Sequence, residues 1–272
     1  IVDSVLELIG HTPMLRVRRL DAGPCELFLK LEAFNPGGSI KDRIGLSMIE
    51  GAEKAGKIRP GATLVEGTAG NTGLGLALVA QAKGYKLILV VPDKMSREKI
   101  FNLKAMGAEV VLTRSDVAKG HPAYYQDLAA RIAQDTPGAY FINQFGNPSN
   151  PKAHEEVTGP EIYADMDGDM DAIVFGVGSS GTMTGLSRYF AREAPNVELV
   201  IADPVGSILA QVDATPDNGS RALIWRTASS DWPLLIVLLP LATRLSLMTN
   251  PIFGKLVRDW GHGIRFIGID AA

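Results

Sequence analysis

Lys41 stands in the run Asn35-Pro36-Gly37-Gly38-Ser39-Ile40-Lys41-Asp42-Arg43, where a glycine turn delivers a lysine onto the first turn of a predicted helix. The positive end of a helix dipole disfavours an ammonium, so a lysine held there tends toward a lowered pKa, and a neutral amine attacks carbonyls. A solvated lysine paired with Asp42 is the plainer reading of this run by itself. Two glycine loops further along change the balance. Thr68, Gly70, Asn71 and Thr72 lie in Glu66-Gly67-Thr68-Ala69-Gly70-Asn71-Thr72-Gly73, between a predicted strand ending at Val65 and a predicted helix over 72–83. Backbone N–H groups and a hydroxyl at a helix start suit a carboxylate. Gly178, Ser179, Ser180, Gly181 and Thr182 follow another predicted strand and open another helix, which reads as a phosphate cradle. Either loop taken singly would equally serve a tight turn.

The second loop also supports a different chemistry. Gly176-x-Gly178-x-x-Gly181 matches the dinucleotide fingerprint, and Asp203 closes the next predicted strand at about the distance of a ribose-binding acid. A nicotinamide-dependent oxidoreductase is therefore the alternative. Such an enzyme has no evident use for the Lys41 run or the 68–73 loop, and Thr182 adds a hydroxyl suited to a compact phosphate monoester. One ligand uses all three segments. Pyridoxal 5′-phosphate brings an aldehyde for Lys41 and a phosphate for the second loop, and leaves the first loop for the carboxylate of an amino-acid substrate.

The elements that must position these residues alternate in type. Apolar, β-branched runs at 27–29, 62–65, 87–91, 110–112, 172–175 and 199–201 predict buried strands, with helices predicted over 40–55, 72–83, 97–106, 123–134 and 182–193. Alternation of this kind predicts an α/β fold of parallel-rich sheets covered by helices. The 272 residues suffice for one large or two modest domains. A net charge of −3, without basic runs interleaved with aromatics, argues against nucleic acid. The lone Cys25 excludes an intramolecular disulfide, and His11, His121, His154 and His262 are scattered without ligand spacing, so no metal site is predicted. The first residues carry neither a basic nor an apolar leader pattern, which points to a cytoplasmic protein with no membrane segment.

Several further motifs resemble one family in its own order. Ile9-Gly10-His11-Thr12-Pro13, Lys30-Leu31-Glu32 with Lys41-Asp42-Arg43, Pro92-Asp93-Lys94-Met95-Ser96-Arg97-Glu98-Lys99 before Gly107-Ala108-Glu109, and Asn143-Gln144-Phe145-Gly146-Asn147-Pro148 are similar to segments of the cysteine synthase and cystathionine β-synthase family. These are fold-type II pyridoxal phosphate enzymes, related in fold to the tryptophan synthase β chain, and the resemblance covers residues 4 to about 210. It implies that Lys41 bonds covalently to the cofactor's aldehyde and later takes the substrate α-proton. It implies that Asn71 meets the ring oxygen, that Gly178, Ser179, Ser180, Gly181 and Thr182 hold the phosphate, and that Thr68, Gly70, Thr72 and Gln144 hold the substrate carboxylate. The implied reaction is β-replacement on serine or O-acetylserine by a thiol or sulfide, giving cystathionine or cysteine, in a homodimer.

The resemblance also implies a smaller mobile domain at 39–147 and a larger one from 1–38 with 148–272. Three departures matter. Ala69 replaces a usual serine, and Ser179 and Ser180 replace the usual threonine and glycine, so the phosphate cradle requires Ser180 to avoid positive φ. Beyond about residue 211 the family's pattern stops, and the segment expected to meet the pyridine nitrogen is not recognisable; Ser229 and Ser230 are the surrogates. Residues 212–272 therefore read as a divergent or aberrant end, with a catalytically impaired scaffold as the corresponding alternative.

Overall fold

A computed structural model describes residues 1–19, 25–68, 70–204, 222–227 and 265–269. The chain divides into two compact units, residues 1–9 with 35–153 and residues 10–34 with 154–272.

The first unit is built on a parallel sheet of β3 (Thr63–Gly67), β4 (Lys86–Pro92), β5 (Glu109–Thr113) and β6 (Tyr140–Phe141), in the order β5-β4-β3-β6. Its strands read as continuous apolar runs because both faces are covered. Leu64, Leu87, Leu89 and Val91 pack with α1 (Lys41–Lys54), α2 (Asn71–Lys83) and Leu103 of α3 (Arg97–Ala105). The alternate residues Val65 and Val90 pack instead on Ala129 and Ala133 of α4 (Tyr125–Asp135). Strand alternation then fixes two neighbours of the first glycine loop. Glu66 shares the Leu64 face and is buried, while Gly67 turns toward α4, where an added Cβ would lie 2.6 Å from the Tyr125 carbonyl oxygen.

α1 and α2 cross at glycines. A Cβ on Gly75 would come within 2.6 Å of the Lys41 carbonyl oxygen, and one on Gly45 within 2.8 Å of Gly75 backbone. The first turn of α1 is thereby pressed against α2 with nothing but backbone between them. α5 (Ser149–Ala153) packs on α1, where Ser47 donates to the Ser149 carbonyl at 2.8 Å.

The second unit holds β1 (Met14–Val17), β2 (Glu26–Lys30), β7 (Ala172–Gly176), β8 (Glu198–Pro204), β9 (Ala222–Thr227) and β10 (Arg265–Ile269), in the order β1-β2-β10-β7-β8-β9. Only the β1–β2 pair among these is antiparallel. A π-helical turn (His154–Thr158) leads into α6 (Gly159–Asp165), and α7 (Gly181–Glu193) links β7 to β8. β9 and β10 come from the segment whose pattern departs from the family. β10 lies between β2 and β7, so that segment supplies an interior strand of this sheet.

The early motifs of the chain act here as a buried clasp. Lys30, 1 % exposed, sets its ammonium 2.6 Å from Glu161, 2.6 Å from Asp165 and 2.6 Å from the Thr12 carbonyl. Glu161 in turn accepts the His11 and Thr12 N–H groups at 3.0 and 2.9 Å, and the Thr12 hydroxyl donates to Glu32 at 2.6 Å. A buried cation is tolerated only when its partners replace water in this way.

Candidate active site

Lys41 is the first residue of α1 and is half-buried. The turn before it is held by its own side chains. The Ser39 hydroxyl accepts the Lys41 N–H at 3.2 Å, and the buried Asp42 carboxylate reaches back to accept the Gly37 N–H at 2.5 Å. Gly38 has φ +83°, a conformation that suits glycine. The lysine therefore stands at a helix start, as its surrounding residues predict.

In the same unit, the first glycine loop leaves the end of β3 and enters α2. Gly70 caps the helix in extended conformation, Asn71 is the first helical residue, and the Thr68 hydroxyl accepts the Gly70 N–H at 3.2 Å. A Cβ on Gly70 would meet no atom within 4 Å, so space is open above this backbone. Thr68, Gly70 and Asn71 line a small hollow whose other side is Met95, Lys99 and Ile100. Ala69 lies outside the described residues.

Gln144 joins this group from 72 residues away, accepting the Thr72 hydroxyl on Oε1 at 2.9 Å. Asn143 before it adopts φ +53°, and the Asn150 side-chain amide donates to the Gln144 carbonyl at 2.9 Å. Both Thr72 and Gln144 are buried. Behind them stands Glu66, 1 % exposed, which accepts the Gln144 backbone N–H at 3.2 Å and its Nε2–H at 3.4 Å. Burial raises the Glu66 carboxyl from 4.5 to about 7, against the lowering effect of the Gln144, Gly67 and Asn143 hydrogen bonds.

The second glycine loop belongs to the other unit and joins β7 to α7. Gly181 is the first residue of the helix, and a Cβ on Gly178 would meet no atom within 4 Å. Ser180 has φ +63° and ψ −3°, and its hydroxyl donates to the Ser179 carbonyl at 2.6 Å. The expectation that this serine avoids positive φ is not met, and the consequence is strain in the turn rather than loss of its N–H donors. The turn into α7 needs a left-handed residue, which glycine occupies without strain and serine occupies at a cost of about 1 kcal/mol. The Thr182 hydroxyl is hydrogen-bonded to His154 Nε2 at 3.2 Å, and His154 Nδ1 to the Thr158 hydroxyl at 3.0 Å. Open backbone at the start of a long helix, a left-handed turn and a fixed hydroxyl are a donor set that fits a phosphate dianion.

The structure thus brings Thr68, Gly70, Asn71, Thr72 and Gln144 together in one unit, and Gly178, Ser179, Ser180, Gly181 and Thr182 in the other. Two residues escape the sequence reading: Glu66 and His154. The chain offers a weak signal for each. Glu66 is a carboxylate in an otherwise apolar strand, and His154 and Thr158 are spaced four apart as neighbours on one helical face. Ser229 and Ser230 lie outside the described residues, and nothing is described of the Asp203 side chain.

Comparison with known proteins decides between the two readings of the 176–181 loop. A family model described as pyridoxal-phosphate dependent enzyme matches residues 5–221. The chain is 46 % identical over 215 residues to the cystathionine beta-synthase of Dictyostelium discoideum, covering 79 % of this chain and 43 % of that one. It is 45 % identical over 214 residues to that of Oryctolagus cuniculus, covering 78 % and 39 %. The chain therefore spans about two fifths of the length of these relatives. Among solved structures, an O-ureido-L-serine synthase matches with TM-score 0.84 at 28 % identity, covering 99 % of this chain and 91 % of that one. A hydrogen sulfide-producing enzyme from Fusobacterium nucleatum matches with TM-score 0.83 at 29 % identity, covering 100 % and 98 %. The nicotinamide reading falls, because β7-α7-β8 is a frame common to both chemistries and only the phosphate reading agrees with the match. The chain belongs to the pyridoxal-phosphate dependent enzymes, with their fold-type II α/β architecture and with pyridoxal 5′-phosphate as the family's cofactor.

Proposed function

We propose that this chain carries out β-replacement on serine or O-acetylserine with a thiol or sulfide, giving cystathionine or cysteine. The observation that carries the reading is the arrangement at the start of α2. There an open glycine backbone, the Thr68 and Thr72 hydroxyls and the Gln144 amide surround one helix N-terminus, in the unit that also places Lys41 at the start of α1. The Thr68 hydroxyl, the N–H groups of the first turn of α2 and one Nε2 hydrogen of Gln144 are the donors offered to a single carboxylate, with the Thr72 hydroxyl holding the Gln144 oxygen, and an amino acid is a carboxylate with an α-proton to remove. The relatives named cystathionine beta-synthase, the O-ureido-L-serine synthase and the hydrogen sulfide-producing enzyme favour the same reaction class.

In this reading, Lys41 would hold the cofactor through Nζ and, once the substrate amine has displaced it, would take and return the substrate α-proton as a free amine. Asn71 would donate to the oxygen on the cofactor ring. Gly178, Ser179, Ser180, Gly181 and Thr182 bind the phosphate, with His154 holding the Thr182 hydroxyl in place. Thr68, Gly70, Thr72 and Gln144 orient the substrate carboxylate, and so set which Cα bond faces Lys41. The cofactor would supply an electron sink for Cα, so that the α-proton and the β-substituent are lost and a thiol or sulfide adds at Cβ with a proton returned to Cα. A homodimer is the proposed assembly.

The test is spectroscopic. Purified protein with pyridoxal phosphate should show a visible absorption band that changes on adding serine or O-acetylserine and is lost in Lys41→Ala. Production of cystathionine from homocysteine, or of cysteine from sulfide, then separates the two acceptors. Wild-type protein without the band would contradict the reading. A second reading, a scaffold impaired in catalysis, is favoured by the left-handed Ser180 in the phosphate loop. It predicts a band without turnover.

A further inference from the structure

We propose that Glu66 is a positioning residue of the carboxylate cradle: it sets the orientation of the Gln144 side-chain amide and, through that amide, the hydroxyl of Thr72. This rests on the reading that the 68–72 loop binds the carboxylate of an amino acid. Glu66 lies on the Leu64 face of β3, where an apolar residue would pack at lower cost. A carboxylate retained there has a task other than packing.

Its contacts define that task. An ionised carboxylate only accepts hydrogen bonds, so the Gln144 edge facing Glu66 must be the nitrogen, which it is at 3.4 Å. The Gln144 oxygen is then turned to Thr72, whose hydroxyl has to donate to it at 2.9 Å. The backbone N–H of Gln144, also on Glu66 at 3.2 Å, anchors the residue so that the side chain has one pivot. One hydrogen of Gln144 Nε2 remains as a donor for an anion at the start of α2. Protonated Glu66 would instead donate a hydrogen, and the opposite amide orientation would become equally good. Gln144 would then present an oxygen, which repels a carboxylate.

The carboxyl's raised pKa of about 7 places this change close to neutral pH. Tyr125 of α4 feels the Glu66 charge, but it is pushed up to about 12, chiefly by burial, and is neutral across the relevant range. Among the described residues, the groups hydrogen-bonded to Glu66 are uncharged: the Gln144 side chain and the backbone of Gln144, Gly67 and Asn143.

The experiment follows the Gln144 side-chain NH2 resonances in cofactor-loaded protein labelled with 15N-glutamine, assigned by their loss in Gln144→Asn. Wild type should show a shift between pH 5.5 and 8.5 with a midpoint near 7, and Glu66→Gln should show none. Kinetically, Glu66→Gln should raise the serine KM about tenfold, the effect of one misdirected buried donor, and leave kcat within about threefold. Loss of stability alone would lower kcat with active-enzyme concentration and leave KM unmoved. A Gln144 NH2 resonance that is the same in wild type and Glu66→Gln at every pH overturns the proposal, as does a wild-type serine KM in Glu66→Gln. Failure of the functional reading looks different: no visible band, or no serine turnover, in wild type, while the Gln144 titration still reports on the Glu66 contact.

Discussion

The two anion cradles of this molecule solve the same problem by different means. The loop at the start of α2 is ordered by buried side chains: Thr72, Gln144 and Glu66 form a chain of hydrogen bonds, and Thr68 ties the turn. The loop at the start of α7 relies more on backbone, with exposed Gly178 and Ser180, a left-handed turn closed by the Ser180 hydroxyl on the Ser179 carbonyl, and a side-chain anchor from His154 to Thr182. The difference follows the ligands. A cofactor phosphate that stays bound needs only a concave set of N–H donors, whereas a substrate carboxylate that comes and goes gains from donors whose orientation is fixed beforehand.

The comparison breaks most readily at Gly178 and Gly70, one glycine in each cradle with open space where a Cβ would stand. Gly178 is not at positive φ and has no neighbour within 4 Å, so Gly178→Val should fold normally. It should nonetheless weaken pyridoxal phosphate binding about 1000-fold, the loss of two charge-assisted hydrogen bonds, measured by titration of the visible band. Wild-type affinity in this variant would remove the backbone cradle from the account.

The next effect concerns stability and belongs to the side-chain cradle. Glu66 has a folded pKa of about 7 against an ordinary 4.5, so the native state holds a proton that the unfolded chain has lost between those values. The sign is therefore a stability that falls as pH rises through this window, with the cost complete above about 7. Urea unfolding should show Glu66→Gln gaining on wild type by on the order of 3 kcal/mol between pH 4 and pH 8. A pH-independent difference would contradict the buried-carboxylate picture.

Gly70→Val ranks third. It fills the open space above the first cradle, in a backbone conformation that valine adopts, so the serine KM should rise about tenfold with the cofactor band unchanged. The smallest effect is a gain. Ser180→Gly relieves the left-handed strain and should stabilise the protein by about 1 kcal/mol while tightening cofactor binding slightly. A destabilised Ser180→Gly would mean that the hydroxyl contact to the Ser179 carbonyl outweighs the strain.

What the sequence makes legible tracks locality. The strands at 62–65 and 87–91 are visible as unbroken apolar runs because helices cover both of their faces, and both glycine loops are visible because strand, turn and helix succeed one another within a few residues. β1 is hidden: it is a four-residue antiparallel strand with exposed Leu15 and Arg16. β6 is only two residues long. The insertion of β10 between β2 and β7 depends on pairing across most of the chain, which no local pattern records. The same holds within the site. Gln144 is found by its motif, but its dependence on Glu66 spans 78 residues, and His154 looks idle until the fold sets it against Thr182, 28 residues on. Lys30 and Glu32 are recognised as part of a lysine segment, while their work lies in the clasp with Thr12, Glu161 and Asp165.

The central claim is that Lys41 is the lysine that carries the cofactor. It is tested most directly by loading the protein with pyridoxal phosphate, reducing with borohydride and mapping the label by peptide mass spectrometry. The account predicts a single pyridoxyl group on the peptide containing Lys41, and none in Lys41→Ala. Stoichiometric label on another lysine, such as Lys99, which lines the hollow at the start of α2, would contradict it.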